Sequence, residues 1–149
     1  MNLMTLTGLL VAALAGVAMA VQGSMNTVMG KVIGILEATL VVHVIGVLVA
    51  LFAVFGLRLG EGSLGALGKV PYYLYLGGAL GVIIVLGVVF SMARAGVANA
   101  TTAIIIGQVA TAVLIDYLGL FGLEKIPFSW WKGLGLVLLA AGGYFMLYR

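Results

Sequence analysis

Apolar residues fill five long stretches of the chain, and polar residues and glycine collect in the short segments between them. A spanning helix needs roughly 20 mainly apolar residues to cross a ~30 Å hydrocarbon core at 1.5 Å per residue. Stretches at about 3–21, 37–57, 72–92, 97–118 and 131–148 meet that length. The pattern predicts an all-α, polytopic membrane protein, with residues 1–149 forming one transmembrane domain of five helices. The longer connections, 58–71 and 119–130, have room for a short interfacial helix but not for a site-bearing extramembrane domain. Tyr72, Tyr73, Tyr75, Tyr117, Trp130, Trp131, Tyr144 and Tyr148 sit at the ends of these stretches. There an aromatic ring with a polar tip matches the headgroup level.

Composition sharpens this reading. Only 7% of residues are charged and the mean hydropathy is +1.33, against about 25% charged in ordinary soluble domains. The chain has no Cys, one His and four acids. That removes disulfides and thiolate chemistry and leaves no ligand set for a metal, so neither an enzyme nor a metal or cofactor site is expected. Seven basic residues scattered singly form no patch for nucleic acid. Ala18-Met19-Ala20 has the form of a signal-peptidase site, but no Lys or Arg precedes it, so the first helix is expected to be retained.

Charge also bears on topology. With five crossings, Arg58, Lys69, Lys125 and Lys132 fall on the N-terminal side, and Lys31, Arg94 and Arg149 on the other. Orientation follows an excess of Lys and Arg on the cytoplasmic side, and four against three gives little excess. Either the chain inserts both ways and pairs as an antiparallel dimer of ten helices, or the small difference together with the terminal amine fixes one orientation. Small residues offer close helix contact: Gly8, Ala12 and Gly16 in the first span, Gly77 and Gly81 in the third, Gly135 and Gly142 in the fifth.

Polar side chains within apolar spans are costly, and each has a functional and a packing reading. Gln22 and Asn26, four apart after the first span, either offer donors and acceptors to a ligand or cap a loop. His43, one turn from Thr39, either relays protons or bonds a neighbouring helix. Glu37 and Asp116, near span ends, are candidates for ion coupling or are simply wetted. Arg94, in the link 93–96, either snorkels to headgroups or points into a cavity. Thr101, Ile105, Gln108, Ala112 and Asp116 fall within about 60° on one face at 100° per residue. Gln108 lies near mid-span, where an amide needs a helix or a watery cavity.

Gln22 and Asn26 after a small-residue helix, Gly107-Gln108, and Ile115-Asp116 followed by Gly119, Gly122 and a closing helix near Trp131 resemble the YdcZ-like branch of the drug/metabolite transporter superfamily over essentially the whole chain. The resemblance implies a five-helix bacterial inner-membrane half-transporter that pairs into a ten-helix unit, related to the small multidrug resistance proteins. The sequence departs from the family pattern in Met92-Ala93-Arg94-Ala95-Gly96, where a proline and a bulky residue are common before the arginine, and in Tyr117-Leu118, where His-Phe is common. The first span lacks the membrane-embedded Glu of the small multidrug resistance proteins.

These readings predict a secondary transporter subunit that moves a small polar solute by alternating access in an antiparallel dimer. Its partners are the bilayer and a second copy of itself or a paralogous half. Gln22, Asn26, His43, Arg94, Thr101 and Gln108 are the candidate lining, and neutral or weakly charged solutes suit them better than multivalent ions. An ion channel of inverted copies and a non-transporting accessory subunit are the alternatives.

Overall fold

A computed structural model describes residues 3–148. Arg149, counted in the charge balance above, lies outside the described residues. Five α-helices account for most of the chain: α1 Leu3–Ile33, α2 Ile35–Leu51, α3 Leu76–Ala95, α4 Val97–Leu118 and α5 Trp130–Leu147. All five, α2 and α3 with their flanking helical turns, are long and apolar enough to cross a membrane. Burial is inverted relative to a water-soluble protein. Among the described residues the buried hydrophobic side chains are Ala38, Val89, Met92 and Ala100, while most Leu, Ile and Val are exposed. Such a surface suits hydrocarbon and not water.

The first helix extends twelve residues beyond the apolar stretch that ends at Val21. Polar residues do not end it because the helix satisfies them internally. Ser24 Oγ donates to Ala20 O at 2.8 Å, and Thr27 Oγ1 to Gly23 O at 2.7 Å. At 31 residues α1 is about 46 Å long, well over a ~30 Å core. What ends it is Gly34, at φ 101° and ψ 149°, a combination open essentially to glycine alone.

The hydrogen-bond ladder passes through that residue. Gly34 N donates to Gly30 O at 3.1 Å and Ala38 N to Gly34 O at 3.0 Å. The chain thus turns from α1 into α2 through a single residue. Gly96, at φ 82° and ψ 163°, repeats the device between α3 and α4. Gly96 N donates to Met92 O and Ala100 N to Gly96 O, both at 3.1 Å. An Ala-Thr pair follows each elbow at the same spacing, Ala38-Thr39 and Ala100-Thr101, and both alanines are buried. The link between the third and fourth spans is therefore one residue, and Arg94 belongs to the last turn of α3.

Contacts gather into two compact units, Met1–Phe90 and Ser91–Arg149, with the division falling within α3. In the first unit α1 packs on α2. A Cβ on Gly30 would lie 3.1 Å from Val89 Cγ1 and 3.6 Å from Ile35 Cα, so the bare glycine lets backbone and side chain close in. Beyond α2 the chain makes a π-helical turn, Phe52–Gly56, and two 3-10 segments, Leu64–Lys69 and Tyr72–Tyr75. Tyr75 Oη holds the loop to α3 by donating to Leu67 O at 2.7 Å.

In the second unit α4 packs on α5. The close approach uses Gly143, where an added Cβ would overlap Ile106 Cδ1 and lie 3.4 Å from Thr102 Cγ2. A Cβ added at Gly135 or Gly142, the pair expected to share a packing face, would meet nothing within 4 Å, and the same holds at Gly8, Gly16 and Gly77. Gly119, at φ 65°, caps α4, and Ile126 N returns to Asp116 O at 2.9 Å.

Candidate functional site

Polar side chains of the apolar helices converge in the first unit, around His43. One cleft of about 360 Å³ is lined by Leu36, Glu37, Thr39, Leu40, His43 and Val82. A second, of about 340 Å³, brings Gln22 to His43 with Val42, Gly46, Val47, Ala50 and Val85. The imidazole borders both. The elbow at Gly34 is what makes this possible, because folding α2 back along α1 carries His43 to the level of Gln22.

The imidazole is oriented by its own helix. His43 Nδ1 lies 2.7 Å from Thr39 O, four residues back. A carbonyl oxygen only accepts, so Nδ1 carries the hydrogen and in the neutral ring Nε2 presents a lone pair. Nε2 faces the bare position at Gly81 on α3, where an added Cβ would come to 3.7 Å. Thr39 is 2% exposed, and its hydroxyl donates to Ile35 O at 2.8 Å. Among the described residues His43 is therefore bonded within α2, where its packing reading expected a bond to a neighbouring helix.

Asn26 is 4% exposed, on the face of α1 that also buries Gly23 and Thr27. Its carboxamide makes no hydrogen bond with a described residue. It sits one turn along α1 from Gln22, which is exposed into the second cleft. Glu37 occupies the first turn of α2, where a carboxylate complements the helix dipole. Its carboxylate folds back against Gly34 Cα, in space that a Cβ there would need.

The remaining candidates belong to the second unit. Gln108 is exposed midway along α4, with no hydrogen bond to a described residue. Thr101 is half-buried, and its Oγ1 is buried without a partner among the described residues. Thr39, its counterpart after the other elbow, spends the same hydroxyl on a backbone carbonyl. Arg94 is exposed. Asp116 pairs with Lys132 at 3.5 Å, both side chains more than a third exposed, and Lys125 lies 5.7 Å from the centre of the Tyr117 ring. No group of three or more potential metal ligands occurs among the described residues. Sequence reasoning missed Gly81, Val82 and the elbow glycines as determinants of the site. The signal for the elbows was present as the repeated Gly-x-x-x-Ala-Thr.

Five apolar helices long enough to cross a bilayer, with Gln22, Glu37 and His43 gathered at clefts in the first unit, define a polytopic helical membrane protein. The chain belongs to the YdcZ family of the drug/metabolite transporter superfamily, described as "Putative inner membrane exporter, YdcZ", whose profile matches residues 7–145. That family is one of membrane exporters and not of enzymes. The comparisons find no similar curated protein and no similar solved structure.

Proposed function

We propose that the chain is one half of a secondary transporter that moves a small polar solute by alternating access, working as an antiparallel pair in the bacterial inner membrane. The observation that carries this reading is the pair of clefts about His43, which set Gln22, Glu37 and the imidazole on an open face of membrane-spanning helices. Polar groups so placed need water, solute or another protein surface over them, because hydrocarbon offers no partner. Gln108 on α4 makes the same demand. An inverted mate would cover such faces. Two exactly inverted copies would also give the two access states equal energy, so that thermal motion could exchange them. The near balance of basic residues on the two sides supports insertion both ways.

Two measurements test the reading. The chain contains no Cys, so Ser63→Cys in the loop before α3 reports orientation without background. Dual insertion predicts labelling of about half the copies by a membrane-impermeant maleimide in sealed vesicles; complete or absent labelling would refute it. Proteoliposomes loaded with a panel of small polar solutes should show saturable flux stimulated by solute on the far side. Unsaturable electrical current would point to a channel, and no flux across the panel to an accessory subunit.

A further inference from the structure

The first cleft has a one-sided hydrogen-bonding character. Its polar lining side chains are Glu37, Thr39 and His43. The Thr39 hydroxyl hydrogen is engaged by Ile35 O, and the hydrogen on His43 Nδ1 by Thr39 O. What these side chains can still offer a solute is the Glu37 carboxylate, an Oγ1 lone pair and the Nε2 lone pair, all acceptors. Leu36, Leu40 and Val82 make the rest of the wall apolar. Glu37 and His43 are six residues apart on α2, about 9 Å along its axis. The two open acceptors are thus well separated in a cleft whose remaining lining is apolar.

From this we infer that the cleft binds an elongated solute carrying N–H donors at both ends of an apolar middle, with a primary ammonium at the Glu37 end and a second donor on His43 Nε2. This rests on the transporter reading for its consequence, though not for the binding itself. Charge alone does not satisfy the site: a quaternary ammonium has the charge but no N–H to give. Dicarboxylates fail twice, bringing acceptors to acceptors and a negative charge to Glu37. Gly81 serves the inner end, since its missing side chain leaves Nε2 open.

The test is calorimetric titration of the full-length protein in lipid nanodiscs with four probes: 1,6-diaminohexane, hexylamine, hexamethonium and adipate. The diamine should bind about tenfold tighter than hexylamine, which lacks the inner donor, and at least about tenfold tighter than hexamethonium and adipate. His43→Phe should bring the diamine down to the hexylamine value and leave hexylamine unchanged. Glu37→Gln should weaken both amines about tenfold. Gly81→Ala fits at ordinary contact distance and should weaken the diamine alone by crowding Nε2, so it serves if the His43 variant fails to fold. Equal binding of hexamethonium and diamine, or no binding of the diamine, overturns the inference. The same preparation in proteoliposomes separates it from the transporter reading. Diamine binding without transport of any solute upholds this site and refutes the carrier. Saturable transport of another solute without diamine binding does the reverse.

Discussion

Gly34 and Gly96 turn the chain through nearly the same backbone conformation in different surroundings, and a matched pair of alanine substitutions separates the two causes of their cost. At φ 101° and ψ 149° for Gly34, and φ 82° and ψ 163° for Gly96, an L-residue carries a backbone strain of about 1–3 kcal/mol. At Gly96 nothing lies within 4 Å of an added Cβ, so strain is the whole effect. At Gly34 the new Cβ also displaces the Glu37 carboxylate. That group is the far end of a flexible side chain and can swing away, so the added cost is its lost interaction with the start of α2, about 0.3–1 kcal/mol. Gly34→Ala should therefore be the more destabilising by about that amount, and in a Glu37→Ala background the two costs should converge. The assay is an SDS titration of the detergent-solubilised protein, read by thiol labelling of a cysteine at Val89 or Ala100, which are 1% and 3% exposed. A cost below about 0.5 kcal/mol at both elbows, or a larger cost at Gly96, would refute the reasoning.

Three further outcomes follow from the packing and the polar groups. Gly143→Ala should cost about 1–3 kcal/mol by overpacking against Ile106. Ile106→Val removes the Cδ1 methyl in the way, so the double variant should be more stable than the sum of the singles by about 1 kcal/mol in the same titration. Because the Asp116–Lys132 pair is more than a third exposed, Lys132→Ala should change stability by no more than about 1 kcal/mol; full flux in Asp116→Asn would remove that carboxylate from ion coupling. Asn26→Ala takes away an amide with no hydrogen bond to a described residue, so stability should hold within about 1 kcal/mol while flux collapses. A loss above about 2 kcal/mol would mean that the amide was bonded after all.

Span number and helical class were legible because bilayer thickness imposes a length on apolar segments, and segments such as 97–118 met it residue for residue. The end of α1 was not legible by the same rule. Gln22, Ser24, Asn26 and Thr27 lower the hydropathy, yet Ser24 and Thr27 bond back to their own helix, so polarity stops the apolar run without stopping the helix. Glycine conformation ends it, and a hydropathy scale gives glycine no conformational meaning. The site was legible in part. Gln22 and His43 were singled out as polar groups in apolar company, and the fold brings them to one cleft. Gly81 was counted only as a packing glycine, because which glycine leaves a polar atom uncovered depends on the neighbouring helix and not on its own sequence.

Residues 3–19 of α1 are exposed throughout, although Gly8, Ala12 and Gly16 would allow a backbone to approach. In water an unpartnered apolar helix would be driven to bury itself; in lipid it is already solvated, and the hydrophobic effect gives it no preference for protein. In the proposed pair, what holds the two copies together must then come from close packing at small residues and from polar groups that hydrocarbon cannot satisfy. Those two features lie on different helices. The bare stripe is on α1, while the exposed amide of Gln108 and the unpartnered Thr101 hydroxyl lie on α4. If pairing relied on the stripe, Gly8→Leu and Gly16→Leu would dissociate the pair and leave solute binding at the His43 cleft intact. If it relied on the polar groups, Gln108→Leu, which makes that position at home in lipid, would dissociate it. Size-exclusion chromatography with light scattering on the purified variants decides between the two. A pair that survives all three substitutions would refute both, and with them the premise that these exposed faces meet a second copy.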